Sequence, residues 1–196
     1  MPRAGLTRER LIEAAANFAD EDGFGALTLA ALARHFGVKL PSLYSHVKNS
    51  DDLKSGVASF AFSALADRAD AAIAGCSGKA ALIALANVHR SFAMEHRGLS
   101  EATRHPFHPH GPIPSGAIRM ATISQAVLRD YPLSETDRTH AIRLLASFFL
   151  GFPMLEQAGS FGHRAPAPDA SWLIGLDALD ALLRGWATPT PPPHSI

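Results

Sequence analysis

Apolar residues recur at helical spacing along almost the whole chain. Leu29, Leu32, Ala33 and Phe36, for example, follow one another at positions i, i+3, i+4 and i+7, which places them on one face of a helix. No segment shows a convincing alternation of apolar and polar residues of the kind that forms strands. The pattern therefore predicts an all-α fold.

Capping residues and glycines divide this pattern into helices. A first helix is expected at residues 7–22 and a second after the N-cap Thr28, and Gly23 and Gly37 supply the stops. A short third helix is expected at residues 40–47. The longer helices that follow are predicted at residues 50–75, 78–96, 115–131, 133–159 and 169–186.

The three short helices and the longer ones form two predicted units. Residues 1–54 have the helix lengths of a helix-turn-helix domain. Residues 55–187 are expected to form a larger helical bundle, whose last two helices are rich in leucine. The proline-rich tail at residues 188–196 is predicted to be disordered.

Composition and charge exclude several classes of protein. The chain has 196 residues, of which 47% are hydrophobic and 18% charged, so it is long and apolar enough to bury a core. Its 18 basic and 18 acidic residues give no net charge that would indicate a partner. Cys76 is the single cysteine, which excludes an intrachain disulfide. Neither a signal peptide nor a membrane span is recognisable, so a cytoplasmic protein is expected.

The outward face of the third helix has an unusual composition. In the segment GVKLPSLYSHVKN, Leu43 faces inward, whereas Pro41 and Ser45 point away from the domain and are flanked by Ser42 and Tyr44. Apolar rings can contact thymine methyl groups, and hydroxyl groups can bond bases or phosphates. The pattern favours binding in a DNA groove. The alternative is a solvated three-helix cap in which Tyr44 is half buried against the fourth helix.

The segment LTLAALARHFGVKLPSLYSHVKNSDDL resembles the DNA-binding domain of the TetR family of bacterial transcription regulators. Its GVKLPSLYSHVKN part is especially similar to the G-V-x-x-P-x-L-Y-x-H-V-K-N run of tetracycline repressors. The resemblance implies that side chains of the third helix face the major groove and that flanking residues hold phosphates. The predicted DNA-binding residues are Thr28, Lys39, Leu40, Pro41, Ser42, Tyr44, Ser45, His46, Lys48, Ser50 and Lys54.

Three positions depart from the pattern of tetracycline repressors. Leu40 stands where that pattern has a base-reading glutamine, and Ala30 stands where it has a base-reading arginine. Ser50 replaces the lysine that usually follows the K-N pair. These departures indicate an operator sequence other than the tetracycline operator.

The resemblance also implies the function of the bundle. It predicts a ligand-responsive repressor that binds double-stranded DNA, at a pseudo-palindromic operator, as a homodimer and is released by a small-molecule effector. The segment LGFPMLEQAGSFG is similar to the H-G-F-x-x-L-E-x-x-G motif of one TetR subgroup, with Leu150 at the histidine position. The leucine-rich helices at 133–159 and 169–186 can form a four-helix dimer interface. The alternative is an internal core in a monomeric protein.

Six residues are candidates for lining the effector pocket. Pro153 lies within a helical pattern and should kink it, which can open space beside Phe152. His89 can supply one polar contact in an otherwise apolar cavity. Because no carboxylate or arginine pair is evident near these positions, the predicted effector is uncharged or weakly polar. The candidates are His89, Phe92, Phe107, Met120, Phe148 and Phe152.

A histidine-rich loop leaves a second interpretation open. His105, His108 and His110 lie within six residues, and imidazole is a common zinc ligand. A metal-responsive regulator is therefore the alternative, and an all-α metal-dependent hydrolase is a remote one. The protein is not expected to be an enzyme, because the sequence shows no motif in which a nucleophile, a base and an orienting group occur together. No cofactor and no resident metal are expected.

Overall fold

The computed structural model describes residues 6–107 and 111–186, and this part of the chain folds into helices without strands, which confirms the predicted all-α class. Two short 3₁₀ segments, Phe24–Ala26 and Leu128–Asp130, lie between longer helices. The α-helices are α1 (Arg8–Asp22), α2 (Leu29–Phe36), α3 (Leu40–Tyr44), α4 (Ser50–Ile73), α5 (Gly78–Glu95), α6 (Arg97–Ala102), α7 (Ser115–Val127), α8 (Glu135–Gln157) and α9 (Pro168–Arg184).

Local capping explains where the first helices begin and end. The hydroxyl oxygen of Thr7 accepts a hydrogen bond from the backbone N–H of Arg10 at the start of α1. Thr28 caps α2 in the same way, with 3.0 Å between its hydroxyl oxygen and the backbone nitrogen of Ala31. Gly37 ends α2 in the left-handed region, with φ at 62°. These signals lie in the sequence itself, and the predicted boundaries agree with them.

The third helix is shorter than its sequence pattern predicts. It ends at Tyr44, because the backbone N–H of His46 donates to the carbonyl oxygen of Leu43 in a tighter turn. The hydroxyl of Ser45 also donates to the carbonyl oxygen of Ser42 at 2.8 Å. Leu43 and Val47 nevertheless both face inward, with 0% and 2% of their surface exposed.

Helix α4 belongs to both predicted units. Asn49 caps its N-terminus, and the helix then runs without interruption across the boundary predicted at residue 54. It packs against α7 at very short range. A Cβ atom at Gly116 would lie 2.5 Å from the backbone nitrogen of Ser63, so only glycine permits this approach of the two helices.

Helix α6 connects the bundle directly to the N-terminal domain. At its second residue, Gly98, a Cβ atom would lie 1.9 Å from the carbonyl oxygen of Ala19 in α1. The backbones of α1 and α6 are therefore in contact. This junction was not predicted, because the sequence pattern shows only a short turn of helix at α6.

The last two helices complete the bundle. Helix α8 continues through Pro153, whose side chain is buried, and α9 buries Trp172, Leu176 and Leu183. The helix predicted at 115–131 ends at Val127 and continues as the 3₁₀ segment. Within residues 6–107 and 111–186, no helix combines the length and the apolar character needed to cross a membrane.

Candidate DNA-binding surface and effector cavity

The outer face of α3 is exposed as a continuous row. Pro41, Ser42, Tyr44 and Ser45 are all exposed, and Tyr44 presents 53% of its surface to solvent. The fully buried Leu43 anchors the helix on the opposite side. A large aromatic side chain held outward on a short anchored helix has no role in the core, which favours a role in binding.

A clamp between Arg8 and Asp52 positions the segment after α3. The guanidinium of Arg8 donates to both carboxylate oxygens of Asp52, at 3.0 and 2.7 Å, and to the carbonyl oxygen of His46 at 3.0 Å. The backbone N–H of Lys48 donates to the same carboxylate at 2.8 Å. The hydrogen bond from Arg8 is the largest cause that holds the pKa of Asp52 below its usual value, although burial opposes it.

This clamp was missed at the sequence level. Arg8 and Asp52 are 44 residues apart, and neither carries a motif that links it to α3. The only available signal is the position of Asp52 in the first turn of α4, where a favourable interaction with the helix dipole is enough to explain a carboxylate. Through these hydrogen bonds the half-buried His46 and the exposed Lys48 are held at the edge of the domain.

The other predicted DNA-binding residues lie around α3 in different environments. Lys39 is exposed at the N-cap of α3, whereas Leu40 is half-buried against the core. Ser50 is the half-buried first residue of α4. The ammonium nitrogen of Lys54 lies 5.4 Å from the ring centre of Phe24, so this side chain packs over the N-terminal domain.

A cavity of about 250 Å³ lies between α4, α5, α7 and α8. Most of its wall is apolar, and its few polar groups come from His89, Thr103 and Ser124. Of the six residues predicted to line an effector pocket, His89 and Met120 do so. Other apolar wall residues are Leu65, Leu85, Ile142, Leu145, Phe149 and Leu150.

His89 is the central polar group of the cavity wall. Its ring lies 5.5 Å from that of Phe149, and burial lowers the pKa of His89 to about 4. The imidazole is therefore neutral near pH 7 and offers one hydrogen-bond donor and one acceptor. A ligand with a single polar group on an apolar body fits this environment.

The other four predicted pocket residues lie outside this cavity. Phe92 is buried beneath the guanidinium of Arg68, 5.3 Å from its ring centre. Phe107 is 40% exposed and lines a separate groove, although its ring lies 5.7 Å from that of Phe62, a residue of the cavity wall. The sequence pattern alone could not distinguish these surroundings from the wall of a pocket.

Phe148 and Phe152 belong to an aromatic cluster with α9. Phe148 stacks on Trp172 with 5.1 Å between ring centres and 12° between planes, and Phe152 lies 5.1 Å from the same indole. Successive helical residues point about 100° apart, so Phe149 faces the cavity while Phe148 faces α9. Arg90 stacks on this cluster and pairs with Glu156 of the LGFPMLEQAG segment.

The histidine-rich loop gives little support to a metal site. His105 packs edge-on against Phe24, and its Nε2 lies 3.4 Å from Asp51. His108 and His110 lie outside the described residues. In the described part of the chain, one group of potential metal ligands has its ligand atoms within 4.8 Å of one another. It consists of Glu21, Asp22 and His35, which are all exposed.

Helices α8 and α9 expose an apolar surface. Ile174 and Leu173 present 67% and 58% of their surface to solvent, and Leu182 presents 45%. Leu144 and Leu155 of α8 are also exposed. Exposed apolar side chains of this size on two adjacent helices are typical of a protein interface.

Comparison with known proteins identifies the family. A family model described as the tetracyclin repressor-like, C-terminal domain matches residues 82–179. The chain is also 31% identical over 161 residues to the HTH-type transcriptional regulator YobS of Bacillus subtilis, and this match covers 82% of the chain and 84% of that protein. The chain belongs to the TetR family of transcriptional regulators.

Two further similarities agree with membership of the TetR family. The chain is 34% identical over 158 residues to the HTH-type transcriptional regulator Rv0681 of Mycobacterium tuberculosis, which covers 80% of the chain and 72% of that protein. The fold is similar to that of a possible TetR family transcriptional regulator from Streptomyces coelicolor A3(2). That structure has a TM-score of 0.73 and 23% identity, and the match covers 92% of this chain and 100% of that one.

Proposed function

We propose that this TetR-family protein is a ligand-responsive repressor that binds a pseudo-palindromic operator as a homodimer. The observation that carries the proposal is the exposed row on α3, held outward by the fully buried Leu43. Tyr44 and Pro41 supply apolar contacts to base edges, and the serine hydroxyls supply hydrogen bonds. Operator binding places the protein in the cytoplasm.

Phosphate contacts come from residues that flank α3. Lys39 and Lys48 are exposed at its two ends, and the backbone N–H of Lys48 is held by Asp52. Residues 34–54 contain four basic and two acidic residues, so few phosphates are neutralised by each subunit. Base contacts from α3 therefore account for most of the discrimination between operators.

The exposed surface of α8 and α9 supports the homodimer. One short recognition helix covers too few base pairs for a specific site, and a two-fold dimer doubles the number of contacts. Leu173, Ile174 and Leu182 provide the apolar contact area that such an interface buries. The operator is consequently expected to have two related half-sites.

The cavity supports release by a small molecule. Its volume of about 250 Å³ and its apolar wall suit the apolar part of an effector, with His89 as a hydrogen-bonding partner. Thr103, in the wall, directly follows α6, and α6 contacts α1 through Gly98. An effector that prefers a shifted α6 shifts the domain that carries α3, because differential affinity for two states moves their equilibrium.

Footprinting on genomic fragments, combined with light scattering, tests this function. We expect protection of a pseudo-palindrome whose half-sites lie about one to one and a half turns apart, on the order of 34–50 Å. A thermal-shift screen of small molecules should then identify ligands that also release the DNA. A monomer at micromolar concentration, or stabilising ligands that leave DNA affinity unchanged, would contradict the proposal.

A further inference from the structure

A second, polar compartment lies beside the apolar cavity. It is a cleft of about 280 Å³ between the α6 segment and α8. Arg97, Ser100 and Arg104 line one side, and Gln157 lines the other. Leu150 lines both the cleft and the cavity, so one side chain forms a shared wall between them.

Each element around the shared wall contributes to both compartments. On α5, His89 lines the cavity, and Ala93, one helical turn further, lines the cleft. After α6, Thr103 lines the cavity and Arg104 lines the cleft. One helical turn rises about 5.4 Å, so a ligand whose apolar body fills the cavity can direct its head group into the cleft once Leu150 changes its rotamer.

The two arginines of the cleft have no counter-ion in the described part of the chain. Arg97 and Arg104 are exposed. Within the described residues, their guanidinium groups form no side-chain hydrogen bond and no ion pair. In contrast, Arg68, Arg90 and Arg119 each pair with a carboxylate. The absence of a partner leaves the donors of both cleft arginines available to a ligand.

One acidic residue also lines the cleft. Glu101 lies between the arginines in the chain, and its Oε1 faces Gly25, 3.9 Å from the position that a Cβ atom would take there. Two guanidinium groups and one carboxylate leave the cleft with an excess of positive charge. Arginine binds carboxylates and phosphates through paired hydrogen bonds, so an anion is the complementary ligand group.

From this arrangement we propose that the effector is an amphipathic anion, with an apolar body in the cavity and a carboxylate or phosphate head on Arg97 and Arg104. The inference rests on the proposed function and adds the chemical class of the effector. The cavity of about 250 Å³ has room for an apolar chain of about eight heavy atoms, at roughly 30 Å³ for a water-sized group.

An anion bound in the cleft would also act on α6, the helix that contacts the DNA-binding domain. Arg97 is the first residue of α6, and Arg104 follows its end, so a head group bound to both braces this helix from one side. Gly98, on the same helix, touches Ala19 of α1. A ligand that joins the cavity wall to these arginines therefore changes the position of α6 against the DNA-binding domain.

Titration calorimetry with three eight-carbon probes tests the inference on the full chain. The probes are octanoate, octyl phosphate and 1-octanol, which share an apolar body and differ in the head. We expect one of the two anions to bind at least about tenfold more tightly than 1-octanol and to release the footprinted operator. The better of the two distinguishes a carboxylate from a phosphate head.

Paired variants assign the effect to the cleft. R97Q/R104Q should bind the preferred anion no better than 1-octanol, and R97K/R104K should keep part of the preference because it retains the charge. The matched control R129Q/R164Q removes two exposed arginines that line neither compartment and should bind like the wild type. Circular dichroism checks that each variant is folded.

Three results would overturn the inference: equal binding of 1-octanol and both anions, an unchanged anion preference in R97Q/R104Q, or no binding of any probe. Each of these leaves the proposed function standing if the wild type protects its operator and an uncharged ligand releases it. Failure to protect any operator contradicts the proposed function instead. The two outcomes are therefore distinguishable in one set of measurements.

Discussion

Nδ1 of His96 lies 2.7 Å from Oδ2 of Asp20, and this pair joins the last turn of α1 to the residue that precedes α6. The other carboxylate oxygen of Asp20 accepts the backbone N–H of Leu99 at 2.9 Å. Nε2 of His96 lies 2.8 Å from a guanidinium nitrogen of Arg68 on α4. Asp20 therefore ties the DNA-binding domain to the bundle at α6, which lines the cleft and is followed by Thr103 of the cavity wall.

Replacing Asp20 should weaken this junction. Asp20→Ala removes both acceptors and leaves the N–H of Leu99 and the imidazole of His96 without this partner, so the free energy of unfolding should fall by about 1–3 kcal/mol in urea titrations. Asp20→Asn keeps one acceptor and should cost less. Asp22→Ala, at an exposed carboxylate two residues away, is the control and should stay within about 0.5 kcal/mol.

Substitution of Gly98 should separate α1 from α6. The new methyl group of Gly98→Ala would overlap the carbonyl oxygen of Ala19, so we expect a loss of about 1–3 kcal/mol in unfolding free energy together with a changed operator affinity. Gly25→Ala serves as the control at the same junction, because its Cβ would be 3.9 Å from the nearest atom. Equal stability of the two variants would show that the helices are not in backbone contact.

Substitution of a residue proposed to contact bases and of one proposed to contact phosphates should have different effects on DNA binding. Tyr44→Ala and Pro41→Ala should each weaken specific operator binding by about 1–3 kcal/mol, because they remove base contacts. Lys48→Ala should weaken binding to all sequences nearly equally and reduce the salt slope by about one. Gel shifts on the operator and on a scrambled sequence compare them. A changed sequence preference in Lys48→Ala, with none in Tyr44→Ala, would reverse the assignment of these faces.

A charge on the exposed face of α9 should prevent dimerisation. Ile174 is 67% exposed in the single chain, and Ile174→Asp places a carboxylate in the proposed interface, where its desolvation is unfavourable. We expect a monomer by light scattering and loss of operator binding. Ile118→Asp changes a residue of α7 that is 54% exposed and should remain dimeric. A dimeric Ile174→Asp variant would place the interface elsewhere.

The buried imidazole of His89 should make stability depend on pH. Its pKa is about 4 in the folded protein and about 6.5 in an unfolded chain, so between these values the unfolded state binds the additional proton. Stability is fully present above about pH 6.5 and falls by about 2–3 kcal/mol toward pH 4.

The variant His89→Gln should lose this part of the pH dependence. Urea titrations of the wild type and the variant at pH 7 and pH 4.5 give the difference directly. Phe92→Leu, which also alters the interior of α5 but removes no titrating group, should keep the wild-type slope. A wild-type slope in His89→Gln would mean that another group takes up the proton.

Most of the N-terminal domain could be predicted from the sequence. Thr28 and Asn49 cap helices through hydrogen bonds to residues three positions away, and Gly37 adopts the left-handed conformation that ends α2. The burial of Leu43 and the exposure of Tyr44 follow from helical spacing within one turn. These features depend on neighbours in the chain, so the sequence by itself determined them.

Only the tertiary structure decided how the candidate effector cavity and the adjoining cleft are built. The pattern marked several phenylalanines as pocket candidates, but the packing of α8 turned Phe149 toward the cavity and Phe148 toward Trp172. The sequence shows no arginine pair near the candidate pocket residues, and only the packing of the α6 segment against α8 brings Arg97 and Arg104 to the adjoining cleft.

The contacts between residues far apart in the chain could not be predicted from the sequence pattern either. Arg8 reaches Asp52 across 44 residues, and Asp20 reaches Leu99 across 79. Such pairs form only after entire helix faces have packed, since the free energy that places them comes from burial of the apolar core and not from the paired residues themselves. The amphipathic pattern determines which faces are buried, whereas the partner of each face depends on the packing of the whole chain.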